Sequence, residues 1–484
     1  MSSDEETPWV KPTGEWSSRV RFSAVGGFAY RPGEIVVPSA RLEEALTKLA
    51  DRAVQQQEAD GSGGAEEAAD SPIEEVVDGI QLDDRPGAGH HRVSGVVDEL
   101  DGIEELRSEG IPVHPNYVLF SHCQCCGCPP GAFGANPFSA NPFSANPFSA
   151  NPFSANPFSA ATYQISPHGV PAQPEWPPTA TEFRTTGYRP HSANPAAEPD
   201  LPAPIDSLPE RPEVLVIDTG LADPPPLGLR DAGRNLDGQF QQKSALETWD
   251  VDENLRIDPI AGHGTFIAGL VKMIAPHARV LVHGPVSGYG DISEHDLTLV
   301  LEKVAERTPP PTIVNLSLGG YAVEDMSELR QAVQDLHDKG IIVVASAGND
   351  ATCRPTYPAA LPGVISVGAL GAYGPAHFTN FGDWVRACAP GVDIVSTFFE
   401  DAPTCNGPDR FSGWARWSGT SFAAPAVAGA LARVMCEGLG PNAVIDAKSA
   451  RVAVKRLIDD PGLFRIPGLG AVVNQIPWWR KRAT

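Results

Sequence analysis

The chain has 484 residues and a formal net charge of −24, and 42% of its residues are hydrophobic and 20% charged. That apolar content suffices for a sizeable core and argues against wholesale disorder. Nucleic acids and anionic membrane surfaces require a basic footprint, so we expect neither as a partner. No apolar run approaches the roughly 18 residues that span a bilayer.

The first residues are acidic and polar, and we assign 1–29 to an N-terminal tail. They lack the basic region and the apolar region of a signal peptide. We therefore expect a cytoplasmic protein, or one exported by a route without a recognisable signal peptide.

Residues 30–120 have the pattern of a small α+β domain. Apolar runs predict three strands, and amphipathic stretches between them predict two helices, the second ending at Gly110. In chain order these are a strand at 33–37, a helix at 42–49, a strand at 91–97, a helix at 100–106 and a strand at 113–120. Residues 55–90 between them are predicted to be a loop.

The segment 121–210 is predicted to be a long disordered linker. It contains Cys123, Cys125, Cys126 and Cys128, and then five tandem copies of Asn-Pro-Phe-Ser-Ala over 136–160. Because proline fixes φ and lacks an amide donor, neither a helix nor a central strand is expected here. The four thiols are consistent with a soft metal, with a redox link or with a cysteine-rich spacer that has no special role.

Residues 211–470 are predicted to form one α/β domain, followed by a C-terminal tail over 471–484. Short β-branched runs alternate with helical stretches, which predicts a mostly parallel sheet covered by helices on both faces. The strands are predicted at 214–217, 279–283, 313–316, 341–345 and 364–367, and the helices at 266–275, 294–306, 327–339 and 421–435.

Two polar residues stand where this fold places its sites. Asp218 ends the first strand and precedes a glycine turn, at the carboxyl edge of the sheet. His263 lies between two glycines directly before a helix, so another group can approach its ring closely. The alternatives are a turn-forming aspartate and an incidental histidine in a capping loop.

Two further residues have the chemistry to handle a developing negative charge. Ser421 begins a helix, which sets its hydroxyl and its own N–H beside the positive end of the helix dipole. Pro425 fits that helix only in the first turn. Asn349 ends another strand, and its amide is a neutral donor suited to an oxyanion. An ordinary N-cap serine and a turn asparagine are the alternatives.

Together these residues fall in four motifs, in the order Asp, His, Asn, Ser. They are Ile-Asp-Thr-Gly at 217–220, Gly-His-Gly-Thr at 262–265, Ala-Gly-Asn at 347–349 and Gly-Thr-Ser-Phe-Ala-Ala-Pro at 419–425. This set resembles the signatures of the subtilisin-like serine proteases, the subtilases, whose triad follows the order Asp, His, Ser. The resemblance covers about half of the chain.

The resemblance implies a role for each matched residue. Ser421 would be the nucleophile, His263 the general base and then acid, Asp218 the orienting carboxylate, and Asn349 an oxyanion donor together with the Ser421 N–H. Two segments would bind the substrate backbone and wall a roomy specificity pocket. They are Ser317, Leu318, Gly319 and Gly320, and Ala345, Ser346, Ala347 and Gly348.

Two features depart from the family or stay open. Phe266 stands where many subtilases have a second histidine, which we expect to alter packing and not chemistry. No cofactor is required for the chemistry, and we assign no metal ligands. Subtilases often hold structural calcium, so a calcium ion is an expectation of the resemblance, although the acidic run 250–253 lacks a convincing loop pattern.

Residues 30–120 resemble a subtilase propeptide, with 33–37 as its opening strand and 114–118 as its closing one. Such a segment would act as an intramolecular inhibitor and then as a substrate. The alternative is an independent partner-binding domain. The repeats resemble peptides that subtilisins cleave after Phe, so they are either tandem self-cleavage sites, a tethered pseudo-substrate or an expanded spacer.

The sequence therefore predicts a serine endopeptidase that acts on protein or peptide substrates through an acyl-enzyme and processes its own N-terminal region. One alternative is a dedicated maturation protease for one partner peptide. The other is a non-catalytic, peptide-binding pseudoprotease.

Overall fold

The computed structural model describes residues 20–121, 191–192 and 211–474, with gaps at 24–26, 60–79, 84–88, 224–228, 230–232, 235–245, 252, 254, 256, 324–325, 404–409 and 437–444. The predictions for the cysteine cluster and the repeats lie outside the described residues. The same holds for the rest of the linker apart from Ser121 and residues 191–192, and for residues 1–19 and 475–484 of the two tails.

The N-terminal half folds as the predicted α+β unit. Its strands are β1 (Arg21–Phe22), β2 (Ala29–Pro38), β3 (Gln81–Leu82), β4 (His90–Ser94) and β5 (His114–Ser121), and its helices are α1 (Leu42–Ala59) and α2 (Glu99–Ser108). β2 pairs antiparallel with β1, β4 and β5. Its apolar core includes Ile35, Leu49, Val93 and Leu106. The predicted loop is wrong at 55–59, where α1 continues through residues with high helix propensity, and at 81–82, where β3 pairs with β4.

The second half contains sixteen described strands and five α-helices. The strands are β6 (His191–Ser192), β7 (Glu213–Ile217), β8 (Leu221–Ala222), β9 (Gly233–Arg234), β10 (Leu246–Glu247), β11 (Arg279–His283), β12 (Asp291–Ser293), β13 (Ile313–Leu316), β14 (Leu318–Gly319), β15 (Ile342–Ser346), β16 (Ile365–Leu370), β17 (Ala387–Pro390), β18 (Ile394–Pro403), β19 (Arg410–Trp417), β20 (Arg465–Ile466) and β21 (Gly470–Val472). The helices are α3 (His263–Ile274), α4 (Glu294–Glu306), α5 (Ser327–Asp338), α6 (Thr420–Cys436) and α7 (Ala447–Val454).

Nine of these strands form one sheet in the order β20, β21, β17, β16, β15, β13, β7, β11, β9. All its described pairs are parallel except β20 with β21. The predicted mostly parallel α/β sheet is confirmed. None of the described helices is both long and apolar enough to cross a membrane.

Alternate residues of the central strand β7 enter two different apolar clusters. Val214 and Val216 pack with α3 and α6, whereas Leu215 and Ile217 pack with α4 and α5. Since both faces of this strand are buried, positions 214–217 all carry apolar side chains, which is why this stretch is an uninterrupted apolar run. The sheet edge that bears Asp218 is therefore held from both sides.

The two halves are joined by strand pairing. β5 pairs antiparallel with β12 on one side and with β14 on the other. The N-terminal sheet has a second face, which lies away from α1 and α2 and includes Tyr30 and Tyr117. This face packs into the apolar cluster that contains residues of α4 and α5. Arg31 also forms an ion pair with Asp291 at 2.7 Å.

A buried charge cluster lies at the same junction. His114, at the start of β5, has Nε2 3.5 Å from Glu328 of α5 and Nδ1 3.7 Å from Glu294 of α4. His90 Nε2 lies 3.5 Å from the same Glu328 carboxylate. Burial by itself lowers the pKa of His114, but the two carboxylates outweigh it and raise this pKa to about 9. The protonated histidine is thus a link between the halves.

This link predicts a pH-dependent stability. Because the folded pKa of His114 is raised, its contribution is complete below the ordinary value of about 6.5 and is lost as pH rises through about 9. We expect His114→Gln to lower the free energy of unfolding on the order of 2 kcal/mol at pH 6 and much less at pH 10. Both chains are compared by denaturant unfolding in a Ser421→Ala background, which lacks the predicted nucleophile. An equal loss at both pH values would contradict the assignment.

Candidate active site

Asp218 and His263 form a buried hydrogen-bonded pair. Asp218 follows β7, and its Oδ1 lies 2.7 Å from Nδ1 of His263, the first residue of α3. The same Oδ1 accepts the amide N–H of Thr219 at 2.8 Å. Because a carboxylate can only accept, it selects the tautomer with the proton on Nδ1 and leaves the lone pair on Nε2. Nε2 is buried and has no hydrogen-bond partner among the described residues.

Aromatic rings enclose the imidazole. Trp417 and Phe422 have ring centroids 5.5 and 5.4 Å from that of His263. Phe266, one turn along α3, packs on the same two rings at 5.9 and 4.6 Å. Phe266 therefore fills space beside the histidine, in agreement with the expectation that it alters packing.

Ser421 lies in the first turn of α6, next to the strand end at Ser317. Its Oγ donates to the Ser317 carbonyl at 2.9 Å, and both residues are fully buried. The bond from Ser421 Oγ to His263 Nε2 that would complete a triad is not made in this arrangement. A rotation of the Ser421 side chain is the change that would form it.

The prediction for Pro425 is wrong. α6 begins at Thr420, so Pro425 lies in its second turn and cannot donate to the carbonyl of Ser421. The Ser317 hydroxyl donates to that carbonyl instead, at 2.8 Å. The helix therefore tolerates the proline because Ser317, which lies between β13 and β14, supplies the missing donor.

Asn349 is held against the start of the same helix. Its Oδ1 accepts from the amide N–H of Thr420 at 3.0 Å and from the Thr420 hydroxyl at 2.8 Å. These two bonds fix the orientation of the side-chain amide. Its donor group, Nδ2, thus belongs to a side chain anchored one residue away from Ser421.

The structure brings the two predicted substrate-binding segments into one region. Segment 317–320 contains β14, and segment 345–348 begins with the last two residues of β15. Gly320 forms a β-bridge with Tyr357. Thr356 donates to the Ala347 carbonyl at 2.8 Å. A Cβ on Gly320 would lie 2.8 Å from the carbonyl oxygen of Val118. Glycine is required there because the backbone of β5 passes so closely.

β5 lies beside the first of these segments. Ser121 faces Leu318, and Phe120 faces both Gly319 and Asp291. The Ser121 N–H donates to the Gly290 carbonyl at 2.8 Å. A strand of the chain's own N-terminal half thus occupies the groove between β12 and β14.

Residues 211–452 match the family model described as the subtilase family. This chain belongs to the subtilase family. The aligned half carries the Asp218–His263 pair and Ser421, and the family consists of serine peptidases.

Several relatives are similar to this subtilase. The thermophilic serine proteinase of Bacillus sp. (strain AK1) is 32% identical over 239 residues, which is 47% of this chain and 52% of the relative. The major intracellular serine protease of Bacillus subtilis (strain 168) is 31% identical over 190 residues, 36% of this chain and 54% of the relative. The solved structure of the prenylagaramide maturation protease PagA is 24% identical, with a TM-score of 0.42, and covers 56% of this chain and 94% of that one. The chain spans about half the length of these curated relatives.

Sequence reasoning missed three groups that support the site. Thr420 anchors Asn349, Trp417 covers the imidazole, and Glu247 hydrogen bonds beside Asp218. Thr420 lies within the motif at 419–425, so the motif already pointed to this position. Glu247 lies in none of the four motifs, and no sequence pattern pointed to it.

The described residues do not fit a metal site. Among them, no group of three or more His, Cys, Asp or Glu side chains could hold an ion. The Asp250 carboxylate accepts the Leu255 N–H at 2.7 Å, and that of Asp258 accepts the Val251 N–H at 2.8 Å. These carboxylates thus bind their own loop, and we derive no step through calcium.

The support of α6 by Ser317 predicts a specific energetic coupling. We expect Ser317→Ala to cost about 1–3 kcal/mol of unfolding free energy, because the Ser421 carbonyl is left buried without a donor. In a Pro425→Ala background the cost should be smaller, since residue 425 then has an N–H for that carbonyl. Denaturant unfolding of the four chains measures the coupling. An equal cost in both backgrounds would refute the compensation.

Proposed function

We propose that this subtilase is a serine endopeptidase with Asp218, His263 and Ser421 as its triad. The observation that carries the proposal is the 2.7 Å contact between Asp218 Oδ1 and His263 Nδ1, fully buried and within the same site as Ser421. A buried carboxylate on Nδ1 both orients the ring and stabilises the imidazolium that forms when Nε2 accepts a proton.

The reaction follows from these positions. A peptide adds as a strand in the groove beside β14, and Ser421 Oγ turns from the Ser317 carbonyl toward His263 Nε2. Nε2 takes the hydroxyl proton as Oγ attacks the peptide carbonyl carbon. The resulting oxyanion is stabilised by the Ser421 N–H and by Asn349 Nδ2.

Collapse of this intermediate breaks the C–N bond and leaves an acyl group on Ser421. The imidazolium gives its proton to the leaving amine, so His263 returns to its neutral form. Water then attacks the acyl-enzyme with the same base and the same oxyanion donors. The proton balance is restored in each half-reaction without a cofactor.

We further propose that the first substrate is the chain's own N-terminal region. β5 already lies in the groove, with Phe120 facing Gly319 and Ser121 facing Leu318. In this register Ser317, whose carbonyl contacts Ser421 Oγ, corresponds to the position after Ser121. We therefore expect the cut after residue 122, between His122 and Cys123, both outside the described residues.

Intact-mass analysis tests both proposals together. Purified wild type should yield fragments 1–122 and 123–484, whereas Ser421→Ala should stay at full length. Cuts after Phe138 or the matching Phe of another repeat would indicate that the repeats are the self-cleavage sites. They would contradict the cut between His122 and Cys123 that the register of β5 predicts. An uncut wild type, together with inertness toward unfolded proteins, would favour the pseudoprotease.

A variant of the oxyanion donor tests the mechanism itself. Asn349→Ala should slow self-cleavage roughly 10²–10³-fold, a magnitude measured on the equivalent residue of subtilisin itself. Asn349→Asp is the matched control, because it keeps the shape of the side chain and replaces the donor with an anion. It should be at least as slow. Wild-type rates in both variants would contradict the assigned role.

Substrate range separates the remaining alternative. A dedicated maturation protease would cut itself yet leave unrelated unfolded proteins intact, whereas a broad endopeptidase would digest them. A panel of such proteins, incubated with the processed chain, distinguishes the two.

A further inference from the structure

A buried carboxylate outside the triad connects the two segments that carry it. Glu247, on the short strand β10, accepts hydrogen bonds at both oxygens. Oε1 accepts from the Thr219 hydroxyl at 2.5 Å and from the Gly262 N–H at 2.6 Å, and Oε2 accepts from the Thr265 hydroxyl at 3.0 Å. Thr219 directly follows Asp218, and Gly262 directly precedes His263.

The donors of Glu247 have further partners in the same two segments. Thr219 Oγ1 also accepts the Gly264 N–H at 2.9 Å, and Thr265 Oγ1 accepts the Ala222 N–H at 2.8 Å. Glu247 is therefore the central member of a network that joins the turn after β7 to the first turn of α3. Networks of this kind fix geometry because each bond restricts the others.

α3 needs such an external partner at its start. Its N-cap is Gly262, which has φ = 84° and provides no side chain to cap the helix. The Thr219 hydroxyl accepts the first-turn N–H of Gly264 instead, and Glu247, from a different strand, accepts the N–H of Gly262 itself. The rotation of the helix start, and with it the direction of the His263 ring, is thus tied to β10.

We infer that Glu247 is a positioning residue for the reaction, which holds the Asp218 turn and the start of α3 in register so that Oδ1 and Nδ1 stay in contact. The inference rests on the proposed function. It concerns geometry, since Glu247 hydrogen bonds to Thr219, Gly262 and Thr265, which flank the triad residues in the sequence.

The protonation of Glu247 makes the positioning role measurable as a pH dependence of the rate, which a purely structural role would not produce. Burial raises its pKa to about 8, the donors Thr219 and Gly262 oppose that rise, and the charge of Asp218 adds to it. The titratable groups on the elements packed against it are Asp218, after β7, and His263, at the start of α3. Below pH 8 Glu247 is neutral: Oε2 carries a proton and donates to the Thr265 hydroxyl, while Oε1 still accepts the Gly262 N–H. The neutral group spares Asp218 a second anion. Above pH 8 its negative charge further stabilises the imidazolium.

Two variants and one control test the inference in the full chain. Glu247→Ala should slow self-cleavage by about 10- to 100-fold, the cost of a misaligned catalytic group. Glu247→Gln has the shape and polarity of the neutral acid, so it should recover the rate at pH 7 to within about threefold. The wild-type rate should rise through pH 8, and this step should be missing in Glu247→Gln.

The control is Glu213→Ala. Glu213 is also a buried carboxylate bound to another element, through Arg307, but it lies at the opposite end of β7. Glu213→Ala should lower the stability of the fold without changing the pH profile of the self-cleavage rate. A structural role for Glu247 alone would make the two alanine variants equivalent.

A measurement without turnover separates this inference from the proposed function. In a Ser421→Ala background, the Nδ1 proton of His263 should give a strongly downfield 1H NMR signal, which Glu247→Ala weakens and Glu247→Gln preserves. An unchanged signal and an unchanged self-cleavage profile in Glu247→Ala would overturn the inference. If wild type cleaves neither itself nor unfolded proteins, the proposed function fails and the signal still decides the role of Glu247. If Glu247→Ala does not fold, the pH step in Glu247→Gln decides it.

Discussion

The antiparallel pairing of β5 with β12 and β14 determines how the two halves of the chain are arranged. β12 and β14 present a groove of strand-like backbone at the carboxyl side of the parallel sheet, and exposed strand edges invite an added strand. In this chain the N-terminal half supplies it, from His114 to Ser121. The pairing orients the N-terminal sheet, and it presses Tyr117 and Leu119 into the cluster that includes α4. It also covers the groove in which a substrate would bind. A single pairing thus connects the domain arrangement to the chemistry that we propose.

Burial explains much of the electrostatics. Asp218 and His263 are fully buried, as is Ser421, so each polar contact between them acts in a medium of low dielectric constant. Such a setting strengthens paired groups and penalises unpaired ones. The network around Glu247 satisfies the backbone at the start of α3, and the hydroxyl of Ser317 satisfies the carbonyl that Pro425 leaves without a donor. In the site, polar backbone groups that lack a local partner are therefore hydrogen bonded by segments that are distant in the sequence.

The sequence predicted the parallel sheet well, because strands buried on both faces are largely continuous apolar runs, as in 342–345. It contains the four motifs as short contiguous runs, so they can be recognised without knowledge of the fold. It missed the hairpin of β18 and β19, whose apolar pattern is broken by polar residues and by Gly413. It placed Pro425 too close to the helix start, since the hydroxyl that replaces the missing proline N–H belongs to Ser317, more than 100 residues earlier in the chain. Neither the partner strands of β5 nor the contacts of Glu247 could be read from local patterns, because both depend on how distant segments meet.

We expect Ser421 to be an activated nucleophile that the chain covers with its own β5. Labelling with a fluorophosphonate, followed by peptide mapping, measures both the activation and the covering. A single adduct should form on Ser421, rapidly in the processed chain after fragment 1–122 is removed, slowly in the uncut chain, and not at all in His263→Ala. Equal labelling of the cut and uncut chains, or labelling that persists in His263→Ala, would contradict this expectation.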